Sequence, residues 1–275
     1  MPSNTTRLWI VATPLGNIDD FSPRARQALE TADFVLAEDT RRAGLLCQRA
    51  GVSVRRFVSF HDHNEADKLA DILPRLAEGQ TACLISDAGL PLIADPGYRL
   101  VRACREAGLG ISVIPGPCAP VTALAGSGIA PQPFAFFGFL PRSRAEQEAR
   151  LAPFAALPVT LVFFERKDRL NETLKTAHAV LGDREVCVAR ELTKTHEEYL
   201  SGRLSAPEAF ADLLGEITVV VGPPEAAAEV SRERVLALIE QERAGGGSPR
   251  DVARRVQLQA SGWTVKAIYT LMTAR

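Results

Sequence analysis

Two short stretches of this chain concentrate the side chains that move protons and hold phosphates. Glu38-Asp39-Thr40-Arg41-Arg42 sets two carboxylates beside two guanidinium groups, and His61-Asp62-His63-Asn64-Glu65 adds imidazoles, further carboxylates and an amide. Carboxylates and imidazoles are the common proton acceptors of enzyme sites. A guanidinium holds a phosphate through two parallel hydrogen bonds. Two other stretches, Ser86-Asp87-Ala88-Gly89-Leu90-Pro91 and Pro115-Gly116-Pro117-Cys118-Ala119, are built from residues that force the backbone into close, rigid turns, letting N–H and C=O groups approach a ligand. Each has a plainer reading. Asp39 serves equally well as the cap of a helix beginning near Arg41. His61 could be a surface histidine, Arg41 and Arg42 a solvated helix start, and the glycines and prolines loop geometry alone. His63 is assigned no role. The His and Asp residues between 61 and 67 have no third and fourth ligand that spacing can place, so no metal site is expected.

The elements around these stretches repeat one design. Leu8 to Ala12 reads as a strand stopped by Thr13-Pro14-Leu15-Gly16-Asn17; Ser22-Pro23 caps a helix to about Thr31; Phe34 to Ala37 is a strand that delivers Glu38 and Asp39. A helix follows to Ala50. Val54 to Phe60 reads as a third strand emptying into His61, and a helix runs on towards Gly79. Ala82 to Ile85 is a fourth strand, after which Asp95-Pro96 is expected to cap and open a helix closed by Gly108, with a fifth strand at Ile111 to Ile114. Strand, loop and helix in this order predict a mostly parallel sheet with helices on both faces, its polar loops gathered at the carboxyl edge, where α/β sheets bind ligands.

From Val121 the texture changes. Phe134 to Leu140 is an aromatic-rich strand, Pro141 to Arg150 a charged and exposed segment, Thr160 to Phe164 a strand leading into Glu165-Arg166-Lys167-Asp168-Arg169 and a helix to Leu181; Glu185 to Arg190 and Glu216 to Val221 close a second α/β unit. The expected organisation is therefore two α/β domains with mixed or parallel sheets, residues 1–119 and 120–225, and a small helical module over 226–275. In that module a helix near Ser231 to Arg243 precedes Ser248-Pro249, Asp251 to Ala260 and Thr264 to Leu271, the last two joined at Ser261-Gly262 with helix-turn-helix-like spacing. Nucleic-acid contact and a docking or capping role are equally open for it.

Composition bounds the rest. The chain has 275 residues, 46% apolar and 24% charged, with a formal net charge of −1, so any nucleic-acid contact has to come from a local basic patch. Its five cysteines are widely spaced and read as reduced core residues. With a polar start and no apolar run of membrane-spanning length, a cytoplasmic protein away from the membrane is expected.

Taken together, Ala12-Thr13-Pro14-Leu15-Gly16-Asn17, Ala37-Glu38-Asp39-Thr40-Arg41, Ser59-Phe60-His61-Asp62-His63-Asn64-Glu65, the Ser86 to Pro91 loop with Asp95-Pro96-Gly97, Pro115 to Ala119, Ala189-Arg190-Glu191-Leu192-Thr193-Lys194 and Gly215-Glu216-Ile217 resemble the ribosomal RNA small subunit methyltransferase I family, within the tetrapyrrole-methylase-like class. The resemblance spans residues 8 to 222 in order. It implies two domains with S-adenosylmethionine between them, usually a homodimer, and 2′-O-methylation of a cytidine in 16S rRNA of the small ribosomal subunit, at the decoding centre. The chain departs from the family at Phe164-Glu165-Arg166-Lys167-Asp168-Arg169, where Tyr-Glu-Ser-Pro-His-Arg is common, and at Cys118, where Ser is common.

By resemblance, Pro14, Ser86, Asp87, Ala88, Gly89, Pro91, Ile93, Cys118, Ala119, Phe164 and Leu192 are expected to bind the cofactor. Methyl transfer to a ribose hydroxyl needs alignment of oxygen, methyl and sulfur and an acceptor for a reluctant proton. Glu38, Asp39 and His61 are the catalytic candidates, and Arg41, Arg42 and Asn64 the RNA-binding ones. The rival readings are a tetrapyrrole methylase of the same fold and a non-catalytic ribosome-assembly protein that binds RNA. A nucleotide-dependent dehydrogenase is disfavoured, because no Gly-x-Gly-x-x-Gly follows any strand.

Overall fold

The computed structural model describes residues 6–225, 230–260 and 262–273. The polar start at 1–5, the opening of the third segment at 226–229 and the Ser261 joint lie outside the described residues. The chain packs as two compact units, Met1–Pro223 and Pro224–Arg275.

The first unit carries both sheets. In the amino-terminal one, β1 (Thr6–Val11), β2 (Phe34–Ala37), β3 (Phe57–Ser59), β4 (Ala82–Ile85) and β5 (Gly110–Ile114) lie in the order β3-β2-β4-β1-β5. Every pairing is parallel, so all five carboxyl ends meet one edge. β2 and β4 are buried at every position, as near-continuous apolar strands covered on both faces should be. The chain leaves β2 towards β3 on one side and leaves β4 towards β5 on the other. A crevice therefore opens between these neighbours, with Glu38 and Asp39 on one lip and Ser86 and Asp87 on the other.

Helix ends explain much of the local geometry. Ser22 caps α1 (Pro23–Thr31) with Pro23 in its first turn, and Asp39 caps α2 (Thr40–Ala50), which ends at the left-handed Gly51. α3 (Glu65–Ala77) leads to β4. The helix expected to open at Asp95-Pro96 begins later, as α4 (Tyr98–Glu106) behind Gly97, and its cap comes from a different element: Glu65 Oε1 accepts the Arg99 N–H at 3.1 Å and the Leu100 N–H at 3.4 Å. Glu65 is buried, and the exposed amide ends of α4 are what hold a carboxylate there. The third strand is shorter than the Val54 to Phe60 run, because Val54 packs against the core beside α2 instead of extending the edge ladder.

α5 (Ala119–Gly126) then packs on the second sheet, formed by β6 (Phe134–Phe139), β7 (Thr160–Glu165), β8 (Glu185–Arg190), β9 (Glu198–Arg203) and β10 (Ile217–Val221) in the order β6-β7-β10-β8-β9. Only β6 and β7 run parallel; the others are antiparallel, giving a mixed sheet. β9 falls in a stretch to which the sequence assigned no element. The segment from Pro141 to Arg150 is partly helical, α6 (Arg144–Leu151), and buries Gln147 and Leu151 against α7 (Leu170–Leu181). Arg184 is 1% exposed and donates to the carbonyls of Leu181, Gly222, Phe154 and Ala155. A buried cation is tolerable when its donors are satisfied.

The second unit is a helical module, α8 (Arg232–Ala244), α9 (Pro249–Gln257) and α10 (Val265–Thr273), closed around Val235, Leu238, Ile239, Val252, Val256 and Ile268. Ser248 and Asp251 form a reciprocal capping box on α9. No helix among the described residues is long and apolar enough to cross a membrane, and no cluster of His, Cys, Asp or Glu among them could hold a metal ion. All five cysteines are free, and burial pushes the Cys83 thiol up to about 12.

Candidate active site

The loops after β1 and β4 are clasped together. Thr13 N–H donates to Gly89 O at 2.9 Å and Gly89 N–H to Thr13 O at 3.1 Å, while the Thr13 hydroxyl reaches Ser86 O at 3.2 Å. Ser86 Oγ lies 3.2 Å from both Ala88 O and Gly89 O, which share its one hydrogen with the Asp95 carboxyl, so it shapes the turn. Gly89 has φ +83° and lies against Leu15, a path that a side chain would obstruct. Pro14, Thr13 and Gly89 are buried in this clasp.

Above it lies a cavity of about 540 Å³, a size suited to a small-molecule ligand. The first sheet contributes Leu15 from the loop after β1, Ala88 from that after β4, and Ala119 from that after β5. The second contributes Phe139, Phe164 to Asp168, Leu192 and Gly215 to Thr218. Phe164 stands edge-on to Phe136 at 5.1 Å between ring centres and tilted against Phe139 at 5.4 Å, an aromatic wall of packed rings. Leu192 is held between Glu191 and Thr193, both in the left-handed region, with φ +51° and +64°. Residues kept in such conformations gather at binding sites. The strained turn is fixed by Glu191 Oε1, which accepts from Lys194 Nζ and from the Glu216 N–H, each at 3.0 Å; the Glu216 hydrogen bond holds the Glu191 carboxyl below its usual range. Thr193 Oγ1 in turn accepts the Asn17 N–H at 3.1 Å, tying the two sheets' loops across the cavity.

Of the expected cofactor contacts, Ala88, Ala119, Phe164 and Leu192 line this cavity together. Pro14, Ser86, Asp87, Gly89, Pro91, Ile93 and Cys118 do not; Pro14, Ser86 and Gly89 act one layer below, in the clasp that supports Leu15 and Ala88. Asp87 turns the other way and pairs with Arg42 at 2.8 Å. Leu15, Phe139 and Gly215 to Thr218 line the cavity without having been assigned a role. Their signals were present, in the Pro14-Leu15-Gly16 turn, the aromatic run and the Gly215-Glu216-Ile217 match. Glu165 is buried beneath the wall, accepting from the Thr173 hydroxyl at 2.6 Å and lying 3.4 Å from Arg169. Arg166, Lys167 and Asp168 line the cavity and are exposed.

The polar end adjoins the cavity through the Asp87-Ala88 turn. Asp39 caps α2, accepting the Arg41 N–H at 2.8 Å and the Arg42 N–H at 3.4 Å, and its carboxylate also grips the Arg41 guanidinium at 2.7 Å. The Arg41 contacts, side chain first and backbone second, hold its carboxyl far below the carboxylate range. A base so depressed takes up a proton poorly. Glu38 differs: partial desolvation, then repulsion from Asp87 and Asp62, push its carboxyl up. Arg41 and Arg42 are exposed on this rim. His61 and Asn64 sit on the neighbouring loop after β3, hydrogen-bonded to each other.

S-adenosylmethionine fits what lines the cavity. Its sulfonium suits the aromatic faces, and its adenine suits the apolar floor of Leu15, Ala119, Leu192 and Ile217.

Residues 7–208 match the family model described as tetrapyrrole (corrin/porphyrin) methylases. A uroporphyrin-III C-methyltransferase structure from Thermus thermophilus, complexed with S-adenyl homocysteine, shares the fold with a TM-score of 0.56 at 19% identity, over 78% of this chain and 97% of that one. A second, the uroporphyrin-III-C-methyltransferase of the same organism, gives 0.55 at 21% identity over 78% and 94%. The fold and the site thus define an enzyme scaffold of the tetrapyrrole-methylase class. Relatives named ribosomal RNA small subunit methyltransferase I are 48% identical over 192 residues in Escherichia coli O157:H7, covering 70% of this chain and 67% of that protein, and 37% identical over 255 residues in Streptococcus pyogenes serotype M1, covering 90% and 88%. The chain belongs to the ribosomal RNA small subunit methyltransferase I family.

Proposed function

We propose that this chain methylates small-subunit ribosomal RNA with S-adenosylmethionine, at the ribose 2′-hydroxyl of a cytidine in the decoding centre of 16S rRNA. The observation that carries the reading is the juxtaposition of an aromatic-walled cavity with a carboxylate and arginine rim, joined by the single turn Asp87-Ala88. Bound S-adenosylmethionine supplies an electrophilic methyl group. The residues of the chain do the rest: Leu15, Ala88, Ala119, Phe164 and Leu192 enclose the donor and exclude water, and Arg41 and Arg42 hold the phosphates of the RNA strand. Glu38, with its raised affinity for protons, takes the proton that the ribose oxygen loses. Asp39 acts through the α2 cap and Arg41. The names of the relatives support the substrate, and the proposed substrate puts the chain in the cytoplasm.

A homodimer belongs to the same proposal. β5 and β6 are edge strands, and Val113, Phe134 and, on α5, Val121 are exposed apolar residues that a second copy would cover.

The test fills the cavity without touching the rim. Ala119→Phe should abolish calorimetric binding of S-adenosylmethionine and methyl transfer to small subunits while the melting temperature is kept. Undiminished binding by that variant would place the donor elsewhere.

A further inference from the structure

The loop after β3 contains a hydrogen-bond pattern that fixes more than its shape. Asn64 Oδ1 accepts the His61 backbone N–H at 2.8 Å, and Asn64 Nδ2 donates to Ser59 O at 3.2 Å. The same Nδ2 lies 3.2 Å from His61 Nε2. Turning the amide over would set NH₂ against N–H and C=O against C=O, so two backbone groups determine which end faces the ring. An amide NH₂ only donates. Nε2 therefore accepts, and the neutral imidazole carries its proton on Nδ1.

That second nitrogen is in an unusual position. His61 Nδ1 is buried and has no hydrogen-bond partner among the described residues. The His63 ring stands edge-on at 6.0 Å, and Glu38 lies within electrostatic reach of both Asp62 and His61. Buried polar groups are almost always satisfied, and one that is not calls for a reason. A ring with its one lone pair taken and its other nitrogen protonated has no place for a substrate proton.

Resting on the methyl-transfer reading, we propose that Asn64 is a positioning residue that holds His61 as the Nδ1–H tautomer with Nε2 occupied, so that His61 does not receive the ribose proton. The O–H bond of the ribose then breaks towards a carboxylate, Glu38, which ends the step protonated. Asn64, expected from sequence to touch RNA, works through the histidine.

The tautomer is read directly from the ring nitrogens of the full chain labelled with ¹⁵N-histidine. Wild type should show a protonated Nδ1 and a bare Nε2; Asn64→Asp, whose carboxylate only accepts, should move the proton to Nε2, and Asn64→Ala should leave a mixture. A wild-type Nε2–H, or a tautomer indifferent to both substitutions, overturns the proposal. Turnover separates a support from a base. His61→Asn takes no proton and should lose less than the ~10²–10⁴-fold that removal of a general base costs; a loss within that range overturns the proposal. Calorimetry with S-adenosylmethionine keeps the two ideas apart: a wild-type chain that binds none defeats the methyltransferase reading, whatever the ring nitrogens show.

Discussion

At the scale of single residues, the site separates groups that sequence places side by side. Glu38 and Asp39 are neighbours, yet one carboxyl is pushed up by desolvation and the other is held down by Arg41. The backbone explains it: Asp39 sits at the helix start, where amides converge, and Glu38 faces other carboxylates. This yields a prediction with two arms. Asp39→Ser keeps a capping oxygen but drops the tether on Arg41, whereas Asp39→Ala loses both. Thermal melts should show a loss of several degrees for the alanine variant only, and filter binding should show weakened RNA retention for both, with S-adenosylmethionine affinity unchanged. Equal stability of the two variants would deny Asp39 its capping role. The Asp39 cap was one of two readings available from sequence, since Asp followed by Thr-Arg-Arg before an apolar pattern is a local signal. The unshared burden on Glu38 was not visible, because Asp62 and Asp87 reach it only through the sheet.

Elements show the same division between local and distant causes. Ser22-Pro23, Gly51 and Ser248-Pro249 mark helix ends by their own chemistry, and the parallel strands with their loop-borne motifs were readable for that reason. The start of α4 was not, for its cap is Glu65, from the preceding helix. β9 was hidden too: Glu198 to Arg203 alternates weakly, and its partner strand β8 makes it a strand. Freed from the capping duty that sequence suggested, Asp95 is half-buried within the loop after β4, where burial, opposed by a hydrogen bond with Ser86 and joined by repulsion from Glu38, Asp87 and Asp62, raises its carboxyl from 3.8 to about 6. The folded chain then holds this proton to higher pH than the unfolded chain does. The stability it brings is complete below about pH 4 and is lost as pH rises through about 6. Asp95→Asn should therefore gain on the order of 1 kcal/mol over wild type at pH 7.5, after allowing for solvent screening, and nothing at pH 4. Denaturant titrations at the two pH values check this; a gain that is the same at both would contradict it.

For the molecule as a whole, the described residues that line the cavity all belong to the unit Met1–Pro223 and come from both sheets and their loops. The helical module has a core of its own. A chain ending at Pro223 is expected to melt cooperatively and to bind S-adenosylmethionine with the full-length affinity; loss of binding in a folded truncation would show that the module completes the site. Sequence could assign the strands other than β9 but could not tell that Leu15 and Phe164 line one cavity, since that cavity exists only once the two sheets have closed on each other. The reciprocal pair of hydrogen bonds between Thr13 and Gly89 has a consequence for how such a cavity works. Because the turns beneath the ligand are already locked to one another, arrival of a small molecule surrenders little chain entropy, and its binding strength goes into fit instead of into assembling a floor.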